Sequence, residues 1–221
     1  MASEGNKGKV IETALRLFNS RGCKGVTMDD IAQSMRMSKR TLYEQFANKE
    51  ELLTECLNLV HEKTNEMHRH AHSQVDEPLL VAMYMLRANA MFIHRYNRIL
   101  EETERYYPDI HDRFFRLHSD SLRGMLRKGM DYMTARNYMR PDADVEVAID
   151  FFCSTIQRKR LSEVPDGEGY ARQLNEVCFT YLRGLMSTDT ICRYDQQEAH
   201  FRQVTEELNA IYNQQENKNK E

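Results

Sequence analysis

The stretch from Thr27 to Phe46 constrains the fold most, because it holds two helix starts with room for only a short helix before the second. Thr27 precedes Met28-Asp29-Asp30-Ile31-Ala32 and can accept an orphan N–H, while the paired aspartates suit the positive end of a helix. Ile31 and Met35 then share a helical face, and Ser38 offers a second cap after the turn Met35-Arg36-Met37. Two short helices meeting at a sharp angle follow from that spacing. In the second, Leu42 turns back onto Ile31 and Met37, which leaves Lys39, Arg40, Thr41 and Tyr43 around the opposite side.

The chemistry of that outward side is that of a groove reader. An arginine fork can engage guanine, a lysine or a tyrosine hydroxyl can hold a phosphate, and a threonine methyl can touch thymine. A short charge cluster taken alone is a solvated face that keeps a chain soluble. Two caps, a tight turn and flanking apolar helices together point to double-stranded DNA.

The residues around this element form an ordered series: Val10-Ile11-Glu12-Thr13-Ala14-Leu15-Arg16-Leu17-Phe18, Gly22, Gly25-Val26-Thr27, Asp30-Ile31-Ala32, Ser38, Thr41-Leu42-Tyr43, Phe46 and Asn48-Lys49-Glu50-Glu51-Leu52-Leu53. The series resembles the amino-terminal DNA-binding domain of the TetR family of one-component transcriptional regulators. It covers roughly the first quarter of the chain. The resemblance implies that the helix from Ser38 to Glu44 enters the major groove, and that Thr27, Tyr43 and Lys49 hold phosphates. Arg36 departs from the family pattern, since it stands where a residue tolerant of positive φ is usual; keeping that geometry carries a modest conformational penalty. Arg40 likewise replaces what is often a small residue, and its length suits either a base edge or a phosphate.

At 221 residues the chain has room for one small and one larger domain, and its net charge of -3 confines any DNA affinity to a local patch such as Lys7, Lys9, Lys24, Lys39, Arg40 and Lys49. Its five cysteines are scattered, without metal-ribbon spacing, which fits a reducing cytoplasm better than a disulfide framework. No apolar run opens the chain or is long enough to span a bilayer, so the expectation is a soluble cytoplasmic protein without a membrane partner.

The pattern beyond predicts an all-α protein. Val10, Ile11, Ala14, Leu15 and Phe18 give a first helix whose stripe closes over Ile31, Leu42 and Phe46. Asn48 with Glu51 reads as a capping box opening a longer helix that leads out of this head. The four prolines, Pro78, Pro108, Pro141 and Pro165, are read as first-turn prolines of later helices. A stripe of Leu79, Met83, Leu86, Ala90 and Ile93 follows, and then amphipathic runs over 110–136, 143–161 and 170–186. Phe201, Val204, Leu208 and Ile211 repeat the pattern before a polar, frayed end. The expected division is a three-helix helix-turn-helix domain over 1–53, a larger helical effector-binding and dimerisation domain over 54–213, and a disordered polar tail over 214–221.

Two broad apolar faces carry Ile149, Phe152 and Ile156, and then Leu174, Cys178, Tyr181, Leu182 and Leu185. Periodicity is equally consistent with intramolecular core and with a docking face. The resemblance implies that such a helix pair docks with its twin in a homodimer, and a two-fold dimer doubles the contacts available on a pseudo-palindromic operator. It also implies a small-molecule effector bound in the carboxyl-terminal body and shifting the head out of register with DNA. Candidate lining residues are Arg87, Met91 and His94, with His118, Met125 and Phe151 on neighbouring helices, although a Met or aromatic stripe is more often plain core.

His61, His68 and His72 share a helical face, a spacing open to transition-metal binding and hence to a metal-responsive regulator. Three ligands on a single helix seldom close a coordination shell, so solvated histidines near a helix end are the reading adopted, with no metal and no cofactor expected. Enzyme motifs are missing: Gly167-Glu168-Gly169 lacks the rest of a dinucleotide loop, and neither a P-loop nor a Gly-x-Ser-x-Gly elbow occurs. A helical protein-protein adaptor would leave the basic helix unexplained. The expectation is a non-enzymatic, ligand-responsive repressor, with DNA contacts from Thr27, Ser38, Lys39, Arg40, Thr41, Tyr43 and Lys49.

Overall fold

The computed structural model describes residues 2–74, 95–156 and 167–196. Within them the chain is helical, and pairing outside helices is limited to an isolated antiparallel bridge between Met139 and Met186. The chain divides into two compact units: Met1–Asn65 with Phe92–Asp120, and Glu66–Met91 with Ser121–Glu221.

The first unit is built around α1 (Ala2–Arg21), α2 (Met28–Ser34), α3 (Lys39–Tyr43), the first turns of α4 (Lys49–Gln74), α5 (Asn97–Tyr106) and the first turns of α6 (Pro108–Ala135). The expected stripe of α1 is its buried face: Val10, Ala14 and Phe18 are fully buried, as are Ile31 and Leu42 beneath the two short helices. Burying a side chain of this size is worth roughly 1.5–3 kcal/mol, which gives these short helices a stability they would lack alone. Arg21 closes α1 because Gly22 turns to φ 88, a left-handed conformation that glycine adopts freely.

Local chemistry sets the other boundaries. At α2 the Thr27 hydroxyl accepts from the Asp30 N–H at 3.2 Å, and the Asp30 carboxylate accepts from the Thr27 N–H at 2.7 Å, a full capping box. Ser38 caps α3 by accepting from the Thr41 N–H at 3.1 Å. Between them Arg36 sits at φ 52, so the turn keeps its left-handed residue without a glycine. At α4 Asn48 accepts from the Glu51 N–H at 2.8 Å, but Glu51 reaches back to the Ala47 N–H at 2.7 Å, one residue earlier than a capping box requires.

In the second unit the later turns of α6 are followed by α7 (Val145–Ile156), α8 (Gly167–Gly184) and α9 (Thr188–Gln196). Leu122, Leu126, Met130, Ala148, Ile149, Phe152, Cys178 and Leu182 are buried there. Of the prolines, Pro108 does open a helix, whereas Pro141 lies in a turn ahead of α7, which Asp144 caps instead by accepting from the Val147 N–H at 3.1 Å. Pro78 and Pro165 fall outside the described residues, as do the stripe from Leu79 to Ile93 and the run from Phe201 to Ile211. The helices α5 and α9 are additions to the sequence reading; their short apolar faces are interrupted by charge.

Candidate nucleic-acid interface

The cap at Ser38 aims the first turn of α3 outward. Tyr43 is 50% exposed, Lys39 and Arg40 are exposed, and Thr41 is half-buried, its hydroxyl 2.8 Å from that of Ser38. Leu42 is fully buried and locks the helix onto the core, so the outward residues are held by an anchored element. All five belong to one short surface, as their spacing predicts.

Two of the cations are engaged by carboxylates of their own unit. Lys39 pairs with Asp29 of α2, and Arg40 pairs with Glu44 one turn along at 3.0 Å. These exposed pairs are worth little individually, so a phosphate or a base edge can replace either carboxylate at small cost. Thr27 spends its hydroxyl on the cap, donating to Asp30 at 2.6 Å while accepting from the Asp30 N–H, and these bonds hold the Asp30 carboxyl below its ordinary range.

Lys49 is placed differently from the α3 cations. It is half-buried, donates to the Lys24 carbonyl at 3.3 Å, and lies 6.0 Å from the Phe18 ring and 5.9 Å from that of Tyr107. Burial lowers its pKa from the ordinary lysine value. Lys24 itself lies 4.6 Å from the Tyr106 ring.

Helix α5 supports this corner of the head. Glu102 accepts from the Lys24 N–H at 2.9 Å and lies so close to Gly22 that an added Cβ would overlap its carboxylate. Arg98 donates to the Ser20 carbonyl, and Asn19 donates to the Arg95 carbonyl at 2.9 Å. Burial, with the Glu102 charge beside it, pushes the Cys23 thiol up to about 12, so this cysteine is an inert core group. Sequence reasoning did not find Arg98, Glu102, Tyr106 and Tyr107, because their partners lie far away in the chain.

The remaining candidates are dispersed. Arg87, Met91 and His94 lie outside the described residues. His118 is buried in the first unit, Met125 is half-buried in the second, and Phe151 packs on Tyr181 with ring centroids 4.2 Å apart. The expectation of solvated histidines fails for His61 and His68, which are buried, because the α4 face that carries them turns inward. The side chain of His72 is outside the described set. Among the described residues no group of three or more His, Cys, Asp or Glu side chains is arranged to hold a metal ion.

Of the residues on the two apolar faces, Ile149, Phe152, Leu174, Cys178, Leu182 and Leu185 are buried within the protomer and Tyr181 is half-buried. The side chain of Ile156 lies outside the described set. The outward apolar positions are Val147, 55% exposed, and Val177, 53% exposed; an open groove of about 670 Å³ is lined by Val177, Tyr181, Phe151 and Leu185 with Arg140 and Glu176.

Residues 10–56, which contain α1, the helix-turn-helix and the start of α4, match the family described as bacterial regulatory proteins, tetR family. The amino-terminal domain belongs to the TetR family. Over 46 residues the chain is 44% identical to the IcaR negative transcriptional regulator of the biofilm operon icaADBC from Staphylococcus epidermidis, covering 21% of this chain and 25% of that protein. It thus spans about a quarter of that relative's length. A longer match links it to the transcriptional repressor KstR2 of Mycobacterium tuberculosis, 25% identical over 182 residues, or 80% of this chain and 91% of the relative. The solved KstR2 structure has the same fold, with a TM-score of 0.55 at 21% identity over 82% of this chain and 95% of that one. No helix among the described residues is long and apolar enough to cross a membrane.

Proposed function

We propose that this TetR-family chain is a transcriptional repressor that binds a pseudo-palindromic operator as a homodimer and is released by a small-molecule effector. The observation that carries the reading is the Ser38-capped helix, anchored by fully buried Leu42, with Lys39, Arg40 and Tyr43 turned outward. A rigid, basic, aromatic helix at a tight turn supplies base-edge readers and phosphate donors together. Thr27, Ser38 and Thr41 complete the contact set, and Lys49 serves at its edge, held half-buried where its charge still reaches the surface.

The repressor role is supported by the names of the relatives, IcaR and KstR2, both negative regulators. A single short helix reads few base pairs, and two copies related by a two-fold axis read a palindrome. The exposed Val147 and Val177 and the groove beside Tyr181 supply an apolar surface for such pairing, over the buried layer of Ile149, Phe152, Leu174, Cys178, Leu182 and Leu185. In this reading residues 1–53 bind DNA, residues 54–213 bind effector and partner, and the protein works in the cytoplasm; no catalytic step is assigned. The coupling route is α5, whose Arg98 and Glu102 hold the end of α1 and the turn leading to α2.

The test is selection of bound fragments from a random duplex library at near-physiological salt, beside a Lys39→Ala/Tyr43→Ala double variant. Recovery of a pseudo-palindrome by the wild type alone is the expected result. Equal enrichment by both proteins would remove α3 from recognition.

A further inference from the structure

The cations at the turn between α1 and α2 are held differently from those of α3. Lys24 Nζ lies 4.6 Å from the centroid of the Tyr106 ring, and Arg105 Cζ lies 5.3 Å from the centroid of the same ring. Lys49 joins them, donating to the Lys24 carbonyl at 3.3 Å and lying 5.9 Å from the Tyr107 ring. Lys24 and Arg105 are exposed, while Tyr106 and Tyr107 are half-buried. All five residues belong to the unit that carries α3, and Lys24 stands just ahead of Thr27, the cap of α2.

A carboxylate holds a cation by cancelling its charge, whereas an aromatic ring holds it through its quadrupole and leaves the charge in place. Lys39 and Arg40 are of the first kind, paired with Asp29 and Glu44. Among the described residues Lys24 and Arg105 are in no ion pair. The acids of this corner are engaged elsewhere or act on other groups. Glu102 accepts from the Lys24 N–H at 2.9 Å and faces Arg98 at 3.9 Å, Asp30 is spent on the Thr27 cap, and the Glu50 charge acts on Tyr107. The two exposed charges mounted on Tyr106 are therefore positive and unspent.

We infer that Lys24 and Arg105, mounted on Tyr106, form a second phosphate-binding edge that takes the DNA backbone beside the segment read by α3. Arg105 supplies a fork that suits two phosphate oxygens, and Lys24 supplies a point charge. Contacts of this kind fix position and orientation on a duplex and carry no sequence information. Arg105 lies in α5, outside residues 1–53, so part of the affinity comes from the helix that Arg98 and Glu102 tie to the end of α1. Sequence patterning could not assign it, because the ring that joins Arg105 to Lys24 is brought there by the packing of α5. This rests on the reading of the chain as a DNA-binding regulator and adds residues from beyond the helix-turn-helix to its contact set.

The probe is the random duplex library itself, titrated at several salt concentrations into the whole chain, its Lys24→Gln, Arg105→Gln and double variants, and Arg116→Gln as a charge control. Arg116 is an exposed cation of α6. Each single variant at the edge is expected to make the slope of log affinity against log salt shallower by about 0.9, and the double variant by about twice that. Arg116→Gln is expected to leave the slope unchanged. Tyr106→Phe, which keeps the ring, should bind as wild type does, and Tyr106→Leu should bind more weakly although every charge remains. Slopes unmoved in the edge variants, or moved equally by Arg116→Gln, would overturn the edge. Weaker binding at an unchanged slope, with a lowered melting temperature, would reduce Arg105 to a packing role and overturn it too. Equal binding by the Phe and Leu variants would overturn the mounting on Tyr106; if Tyr106→Leu does not fold, the glutamine variants still decide. A pseudo-palindrome recovered by a protein whose slope the edge variants leave unmoved sinks the edge and leaves the regulator intact. Failure to recover one, with the slope still falling in the edge variants, sinks the sequence-specific reading alone.

Discussion

The α2–α3 corner and the α7–α8 pair turn opposite chemistries outward. The former presents Lys39, Arg40 and Tyr43, with its apolar residues Ile31 and Leu42 fully buried. The latter also buries a complete layer, Ile149, Phe152, Cys178 and Leu182, yet still leaves Val147 and Val177 more than half exposed. A basic surface suits a polyanion and weakens with salt, whereas an apolar one suits a second protein surface and is insensitive to salt. The contrast is between a surface suited to a polyanion and one suited to a protein partner, and substitutions in each test the roles proposed for them.

The largest effect is expected at Leu42→Ala. Removing this fully buried side chain should destabilise the helix-turn-helix by about 2–5 kcal/mol, read as lost amide-exchange protection in α2 and α3 with protection of α7 and α8 retained. Simultaneous loss of protection in both regions would show that they do not act separately.

Acid should act on neither surface but on the buried imidazoles. The unfolded chain takes up a proton near 6.5, whereas folded His118 resists until about 4, so the folded state loses stability as pH falls from 6.5 towards 4. By linkage the loss is on the order of 3 kcal/mol from this group, and lowered His61 acts in the same direction. Denaturant midpoints measured across that pH range check the sign; a His118→Phe protein should show a flatter profile.

Val177→Glu should come next, because a carboxylate in the proposed docking surface would leave a charge unpaired on both sides of the proposed two-fold axis. Sedimentation should show a shift from dimer to monomer, with operator affinity down roughly a hundredfold through loss of the second half-site. A dimer that survives this change would move the interface off α8. The smallest effects belong to the recognition helix: Tyr43→Ala should weaken binding about tenfold across sequences, while Arg40→Ala should alter preference at one base position by about 1–3 kcal/mol. Raising salt should weaken operator binding and leave the dimer unchanged; a uniform loss for Arg40→Ala would remove its role in base reading.

The residues that proved readable in advance are those whose partners lie within a turn or two. Thr27 with Asp30, Ser38 with Thr41 and Asn48 with Glu51 are caps closed over three residues, so local spacing announced them, and the α1 stripe followed from helical periodicity. Arg36 is of another kind, since the family resemblance and not the spacing marked that turn position as one for a residue tolerant of positive φ, and the arginine adopts φ 52 there. Pro141 shows the limit of such rules, because Asp144 competes with it for the start of α7 and supplies the side-chain cap that proline cannot.

The sequence by itself determined an all-helical chain, the helix-turn-helix, and the side chains that face outward on α3, because each follows from short-range capping and periodicity. Only the tertiary structure decided that Lys49 is half-buried with its ammonium over the Tyr107 ring, that Glu102 closes over Gly22, and that His61 finds His118 instead of water. It likewise decided which apolar residues of α7 and α8 are spent inside the protomer and which, Val147 and Val177, are left outside. Periodicity tells which residues share a face of a helix, but the direction of that face is set by what packs against it, and those partners come from distant parts of the chain.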